Sequence, residues 1–188
     1  MGINVSILGA TGNVGREFIS ILNQRKFPID EIFLLASEKS EGKKLSFGKK
    51  EITVQNVEKF DFKKCKIVFS SAGSDVAAKF APKAAKAGCF VIDNSSHYRM
   101  DPDVPLVVPE VNSNDLKKIK KNIIANPNCS TIQMVVVLKP LHELVPIKRV
   151  VVSTYQSTSG AGRPSMDELF EQTKDIFSNN PIKKTHFT

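Results

Sequence analysis

One cysteine stands in a context that could do chemistry. Asn126-Pro127-Asn128-Cys129-Ser130-Thr131 follows the strand-forming run Ile123-Ile124-Ala125 and precedes an amphipathic stretch from Ser130 to Leu144. Pro127 biases Asn126 away from helical geometry, so strand and helix stay apart and Cys129 falls at the corner between them. The first backbone N–H groups of the helix would then point at the sulfur and favour the thiolate, which is the nucleophilic form. A solitary cysteine is more often a core residue, but the polar neighbours and the corner position favour a nucleophile here. Cys65 precedes a strand and Cys89 begins one, so both are expected to be shielded from solvent. The three positions match neither a disulfide framework nor a metal motif, which fits a reducing, cytoplasmic setting with no metal site.

A second chemical signal lies at the N-terminus. The apolar run Ile3 to Leu8 ends in Gly9-Ala10-Thr11-Gly12-Asn13-Val14-Gly15, and a helix follows with Val14, Phe18, Ile21 and Leu22 on one face. Glycines at 9, 12 and 15 allow a tight turn, close approach of a pyrophosphate to the backbone, and a helix N-terminus aimed at it. Between a strand and an amphipathic helix this spacing predicts a dinucleotide site. The next strand, Ile32 to Leu35, ends in Ala36-Ser37-Glu38-Lys39-Ser40. Glu38 lies near the place where an acidic residue binds the ribose of NAD, but Ser37, Lys39 and Ser40 surround it with donors and a cation. Those groups suit a 2′-phosphate, so NADP is expected over NAD. Arg99 is the one arginine close to a predicted sheet edge. It could clamp a phosphate or carboxylate with two hydrogen bonds, or pair structurally with Asp101 or Asp103.

The elements that position these residues follow from periodicity. Leu45 to Phe47 and Ile52 to Val54 read as a hairpin, and Lys66 to Ser70 as a strand entering Ser71-Ala72-Gly73. A helix from Asp75 to Ala87, bent at Pro82 and closed by Gly88, leads to the strand Phe90 to Ile92. A short helix over Asn114 to Lys121 precedes the strand before Cys129. Lys148 to Thr154 is strongly β in character, and Ser165-Met166-Asp167-Glu168 reads as a capping box opening a last helix. Strands that each end in small polar residues imply one carboxyl edge where ligands bind. The fold class is therefore α/β, a Rossmann-like doubly wound and mostly parallel sheet over 1–128. The start of an α+β catalytic or dimerisation domain is expected over 129–188.

The chain of 188 residues has ordinary globular composition and a net charge of +8. Its lysines are dispersed and no aromatic residues interleave with them, which argues for a solvated surface and against nucleic acid. No apolar run approaches the ~20 residues that span a bilayer. Met1 to Ser6 fits a myristoylation pattern and two Asn-X-Ser triplets fit the glycosylation pattern. The first begins a strand and the others carry no meaning in a cytoplasmic protein.

These motifs together resemble the aspartate-semialdehyde dehydrogenase family. The segments that carry the resemblance are the N-terminal glycine loop, Asn126-Pro127-Asn128-Cys129-Ser130-Thr131 and Tyr155-Gln156-Ser157-Thr158-Ser159-Gly160-Ala161-Gly162. The resemblance implies an NADP-dependent, reversible conversion of L-aspartate 4-semialdehyde and phosphate to 4-aspartyl phosphate. It places the protein in lysine, threonine, methionine and diaminopimelate biosynthesis, as a homodimer when full length. It implies that Cys129 is the thioester nucleophile, that Arg99 and Asn128 bind phosphate, and that Gln156 positions substrate. Gly9, Thr11, Gly12, Asn13 and Val14 would hold the pyrophosphate, and Ser37, Lys39 and Ser40 the 2′-phosphate. Ser71, Ala72, Gly73, Ser159 and Gly160 would line the nicotinamide half. Lys39 stands where an arginine is common, and His97 where a small residue is usual. Family members are nearly twice as long, with the acid/base histidine and a second substrate-binding arginine beyond residue 188. Neither His142 nor His186 matches that histidine, so an inactive fragment is expected. The alternatives are an N-acetyl-glutamyl-phosphate reductase, which uses the same cysteine chemistry, and a non-catalytic nucleotide-binding remnant.

Overall fold

The apolar runs of the first two-thirds of the chain pair as a single sheet. Its strands are β1 (Ile3–Leu8), β2 (Ile29–Ala36), β3 (Lys44–Phe47), β4 (Lys50–Asn56), β5 (Ile67–Ser70), β6 (Phe90–Asp93) and β7 (Ile123–Ala125). They lie in the order β3-β4-β2-β1-β5-β6-β7. Every pairing is parallel except that of β3 with β4, the predicted hairpin. The helices are α1 (Asn13–Gln24), α2 (Ser74–Lys86), α3 (Pro109–Asn112), α4 (Cys129–Leu144) and α5 (Arg163–Phe177). This computed structural model describes residues 2–185. Two compact units divide the chain, Met1–Arg149 and Val150–Thr188. Among the described residues, no helix is long and apolar enough to cross a membrane.

The central strand explains the two-sided packing of the first unit. Val5, Ser6, Ile7 and Leu8 are all buried, as expected for a parallel strand covered on both faces. One apolar cluster gathers Val5, Ile7, Ile19, Leu22, Leu34 and Val54 beneath α1. The other gathers Leu8, Leu35, Val68, Phe80, Ala81 and Val91 beneath α2. Gly88 stops α2 at φ +94°, a left-handed conformation that glycine adopts without a Cβ clash.

Four sequence expectations are corrected. The helix expected from Asn114 begins earlier, with α3 at Pro109, and continues as a 3₁₀ segment over Ser113–Lys118. Proline suits a first helical turn, and the Asn112 side chain accepts the Val108 N–H at 2.8 Å and fixes that turn. The β-rich run Lys148 to Thr154 forms no strand. β propensity yields a strand only where a neighbour takes the backbone hydrogen bonds, and Val150, Val151 and Val152 are exposed. The capping box is not formed, because α5 starts at Arg163 with Pro164 in its first turn. Ser165 and Glu168 are instead buried, and Glu168 accepts from Gln172 and from the Thr185 N–H and hydroxyl. Finally, α4 is apolar around more than one face rather than amphipathic. None of its residues is buried, and Val136, Val137, Leu141 and Leu144 are exposed.

The glycine loop supplies the close contact on which the first βα unit depends. A Cβ at Gly15 would run into the Gly9 carbonyl oxygen and lie 2.8 Å from Ala10 Cα, whereas one at Gly12 meets its nearest atom at 3.4 Å. Gly15→Ala is therefore expected to lower stability by about 1–3 kcal/mol, the range for overpacking a tight site, and Gly12→Ala by much less. Urea unfolding of the two variants checks this, and equal midpoints would refute the close-contact argument.

Candidate active site

Register brings the candidate residues to one edge. Leu8 lies opposite Leu35 and Ser70, Ser70 opposite Asp93, and Asp93 opposite Ala125. The segments that leave these ends, beginning at Gly9, Ser37, Ser71, Asn94 and Asn126, therefore all emerge at the carboxyl edge. Hydrogen bonds continue the ladder beyond the strands. Ser71 N–H donates to Leu8 O at 2.9 Å, Asn94 N–H to Ser70 O at 2.9 Å and Asn126 N–H to Asp93 O at 2.8 Å.

The glycine loop crosses this edge. Gly9 has φ +84°, and a Cβ there would lie 2.9 Å from Ala72 Cα, so only glycine fits between the first turn and the β5 loop. Gly12 precedes α1 with no side-chain cap, and Thr11, Gly12, Asn13 and Val14 lie at that helix start. A helix N-terminus approached by backbone alone suits the phosphates of a dinucleotide. Arg16, which the sequence reading passed over, ties the loop down by donating from Nε to Thr11 O at 3.2 Å. At the end of β2, Ser37 precedes a 3₁₀ turn over Glu38–Ser40, and Ser37, Glu38 and Lys39 are exposed. Lys43 adds a cation, its Nζ 3.5 Å from Ser40 Oγ. Ser71 Oγ donates to Leu8 O at 3.0 Å, which fixes the Ser71-Ala72-Gly73 segment against the loop.

Arg99 settles between two backbone carbonyls. Its Nε donates to Asn126 O at 3.0 Å and its Nη2 to Asn94 O at 3.3 Å. Asn126 Nδ2 donates to Asn94 Oδ1 at 2.6 Å and closes the network. The carboxylates considered as structural partners are engaged elsewhere, Asp101 by Lys121 at 2.9 Å and Asp103 by Lys120 at 3.0 Å. Those hydrogen bonds hold both carboxyl groups below their ordinary range. Beneath the loop, the fully buried Asp93 accepts from Ser95 Oγ at 2.5 Å, and Ser95 Oγ accepts from the His97 N–H at 3.1 Å. Tyr98 is buried beside them, and burial followed by the Asp93 charge pushes its phenol above the usual value.

Cys129 is the first residue of α4 and is exposed, whereas Cys65 and Cys89 are buried. Asn128 caps the helix, its Oδ1 accepting from the Ser130 N–H at 3.0 Å, and Cys129 Sγ lies 4.0 Å from the same oxygen. Two residues, Pro127 and Asn128, thus separate the nucleophile candidate from the carbonyl that holds Arg99. His142, two residues from the end of α4, accepts the Ile147 N–H on Nδ1 at 3.1 Å. In the second unit, Gln156 Nε2 donates to Thr154 Oγ1 at 3.4 Å. Ser159 and Gly160 form part of a 3₁₀ turn over Thr158–Ala161, capped by Ser157. His186 lies outside the described residues. Asn94 and Asn126, like Arg16, are site residues that sequence reasoning missed. For the two asparagines the available signal was their position, since each is the first residue beyond a strand of the edge.

The glycine cradle at the carboxyl edge is matched by the family comparison. The family described as semialdehyde dehydrogenase, NAD binding domain matches residues 4–119, and the semialdehyde dehydrogenase dimerisation domain matches 138–188. This chain belongs to the semialdehyde dehydrogenase family. It is 53% identical to aspartate-semialdehyde dehydrogenase 2 of Vibrio cholerae over 98% of its own length and 55% of the relative's. It is 59% identical to the aspartate-semialdehyde dehydrogenase of Aquifex aeolicus over 93% of its length and 52% of that protein's. The crystal structure of the Vibrio cholerae aspartate semialdehyde dehydrogenase II complexed with ASA superposes with a TM-score of 0.95 at 52% identity, covering all of this chain and 56% of that one. The Candida albicans enzyme with NADP matches with a TM-score of 0.63 at 34% identity, over 78% of this chain and 48% of that one. The chain thus spans about half the length of the curated relatives it matches. A family NAD(P)-binding domain accounts for the cradle, and a dimerisation domain for the later match.

Within this semialdehyde dehydrogenase domain, lysine cannot bridge two carbonyls as the Arg99 fork does. Arg99→Lys is expected to lower stability by about 1–3 kcal/mol, the scale of lost hydrogen bonds to a charged group. Chemical denaturation measures the change, and an unaltered midpoint would count against the Asn94–Arg99–Asn126 network.

Proposed function

We propose that this chain carries the cofactor-binding and nucleophilic part of an aspartate-semialdehyde dehydrogenase. The reaction is the reversible, NADP-dependent oxidation of L-aspartate 4-semialdehyde with phosphate to 4-aspartyl phosphate. The observation that carries this reading is an exposed Cys129 at a helix start, beside an edge where Arg99 is anchored through Asn126. Residues 1–128 form the nucleotide-binding part and 129–188 contribute to a catalytic and dimerisation part.

A dinucleotide in the glycine cradle supplies the hydride acceptor. Gly9, Thr11, Gly12, Asn13 and Val14 bind its pyrophosphate by backbone and helix N-terminus. Ser37, Lys39 and Ser40 bind a 2′-phosphate, which is why NADP is favoured, and a cofactor bound by the family's Candida albicans member is NADP. Ser71, Ala72 and Gly73 line its nicotinamide half. Cys129 sulfur adds to the aldehyde carbon, and Asn128 orients the substrate. The hydroxyl of the adduct must lose its proton as hydride departs, so a general base is required close to it. The resulting thioester is held on Cys129 until phosphate, bound by Arg99 and Asn128, attacks its carbonyl carbon and releases the thiolate. Homodimerisation is the reading of the dimerisation-domain match together with the exposed Val136, Val137, Leu141 and Leu144.

In a chain of the relatives' length, NADPH is expected to form from L-aspartate 4-semialdehyde and phosphate but not from N-acetyl-glutamate semialdehyde. Cys129→Ala should abolish it, and residual turnover of that variant would overturn the nucleophile assignment. Cofactor choice is checked by titration. NADP should bind more tightly than NAD, and Lys39→Glu should weaken NADP far more than NAD, because it replaces attraction for the 2′-phosphate with repulsion.

A further inference from the structure

The amino edge of the sheet, opposite the cofactor cradle, holds a pair of thiols that the proposed reaction does not use. Cys65 precedes β5 and Cys89 precedes β6, and these two strands pair in parallel from Ile67 and Phe90 onward. The pairing brings Cys65 Sγ within 3.7 Å of Cys89 Sγ, although 24 positions separate them in sequence. Both thiols are reduced and buried, with exposures of 7% and 0%. Backbone bonding extends to their level, since the Phe90 N–H donates to Lys66 O at 2.8 Å. Adjacent chains held this way fall in the separation range that a disulfide bridges without large backbone movement.

We propose that Cys65 and Cys89 form an oxidative modification site, closing to a disulfide when the protein meets a peroxide-class oxidant. The surroundings assign the roles. Cys89 Sγ donates to Phe62 O and Cys65 O, both at 3.1 Å, and is held as the thiol; its contact with Cys65 and then burial push it upward. Cys65 Sγ lies 3.4 Å from Ser6 Oγ and donates to Phe62 O at 3.4 Å, and the Cys89 contact draws it downward against burial. Cys65 is also the more exposed of the two. Its sulfur attacks one peroxide oxygen, breaking the O–O bond, forming a sulfenic acid and releasing water. Cys89 sulfur then attacks the Cys65 sulfur and displaces the sulfenic oxygen as a second water. One peroxide is reduced by two electrons and the two thiols are oxidised by two. The bridge encloses β5, the Ser71–Gly73 segment and α2, so oxidation staples the strand that carries one part of the cofactor edge.

The test uses the 188-residue chain with Cys129→Ser, which leaves Cys65 and Cys89 as its only thiols. The chain is treated with hydrogen peroxide, unfolded in the presence of iodoacetamide and digested without reductant. A peptide pair joined through Cys65 and Cys89, lighter by two hydrogens and separated by phosphine, is expected. The oxidised chain should also unfold at higher urea concentration than the reduced one. In the same background, Cys89→Ser should leave Cys65 as a sulfenic acid that a cyclic 1,3-diketone traps. Full alkylation of both cysteines after a dose that oxidises glutathione would overturn the proposal. Cross-links between chains, or Cys65 sulfinic acid without the bridge, would overturn it as well. The wild-type chain gives the same peptide readout should either variant fail to fold.

Discussion

The common termination level of the parallel strands is the constraint on which the site depends. Leu8, Ser70, Asp93 and Ala125 lie side by side across four neighbouring strands. A slip of one residue between any two would exchange the faces of every side chain on that strand and move its outgoing loop. The register is held by apolar packing on both faces, with Val5, Ile7, Leu34, Val68 and Val91 nearly inaccessible to solvent. It is also held beyond the strands by the backbone bonds of Ser71, Asn94 and Asn126. The glycine loop, the β5 loop, the Arg99 loop and the Cys129 corner are thereby collected without direct sequence proximity.

Polar groups under the edge shape the loops rather than the core. Asp93 and Ser95 are buried together, and Asp93 accepts the Ser95 hydroxyl on Oδ2 while its buried Oδ1 has no partner among the described residues. Ser95 in turn receives the His97 N–H, so the chain turns back toward Arg99. The guanidinium is oriented by carbonyl oxygens of Asn94 and Asn126, and the nearby Asp101 and Asp103 are held by lysines. A cation oriented by neutral acceptors keeps its charge uncompensated by a carboxylate.

The later part of the chain follows a different balance. α4 begins with a well-formed cap but carries apolar residues on several faces, and Val150 to Val152 are exposed without a strand partner. Helix hydrogen bonds are satisfied within the segment, so α4 forms regardless. A strand must borrow its partners from another segment, so the equally apolar valine run stays irregular. The family match to a dimerisation domain over 138–188 coincides with this unburied surface.

The local features were determined by the sequence itself. The extent of β1, the glycine spacing, the hairpin and the corner at Cys129 each depend on residues within one turn or one strand of each other, and periodicity or proline and glycine stereochemistry fixes them. The shielding of Cys65 and Cys89 could likewise be read from the strands they adjoin. Tertiary structure alone decided which partners those residues meet. Arg99 could have paired with Asp101 or Asp103 two or four residues away, yet register placed the Asn126 carbonyl beside it. Ser165 and Glu168 had the spacing of a cap, but the fold of the second unit made Glu168 the acceptor for Gln172 and Thr185. The valine run had strand propensity and no ladder, and the two buried thiols had no sequence signal of their adjacency. In each case the deciding interaction joins segments distant in sequence, and side-chain identity alone does not specify which distant segment a strand will lie against.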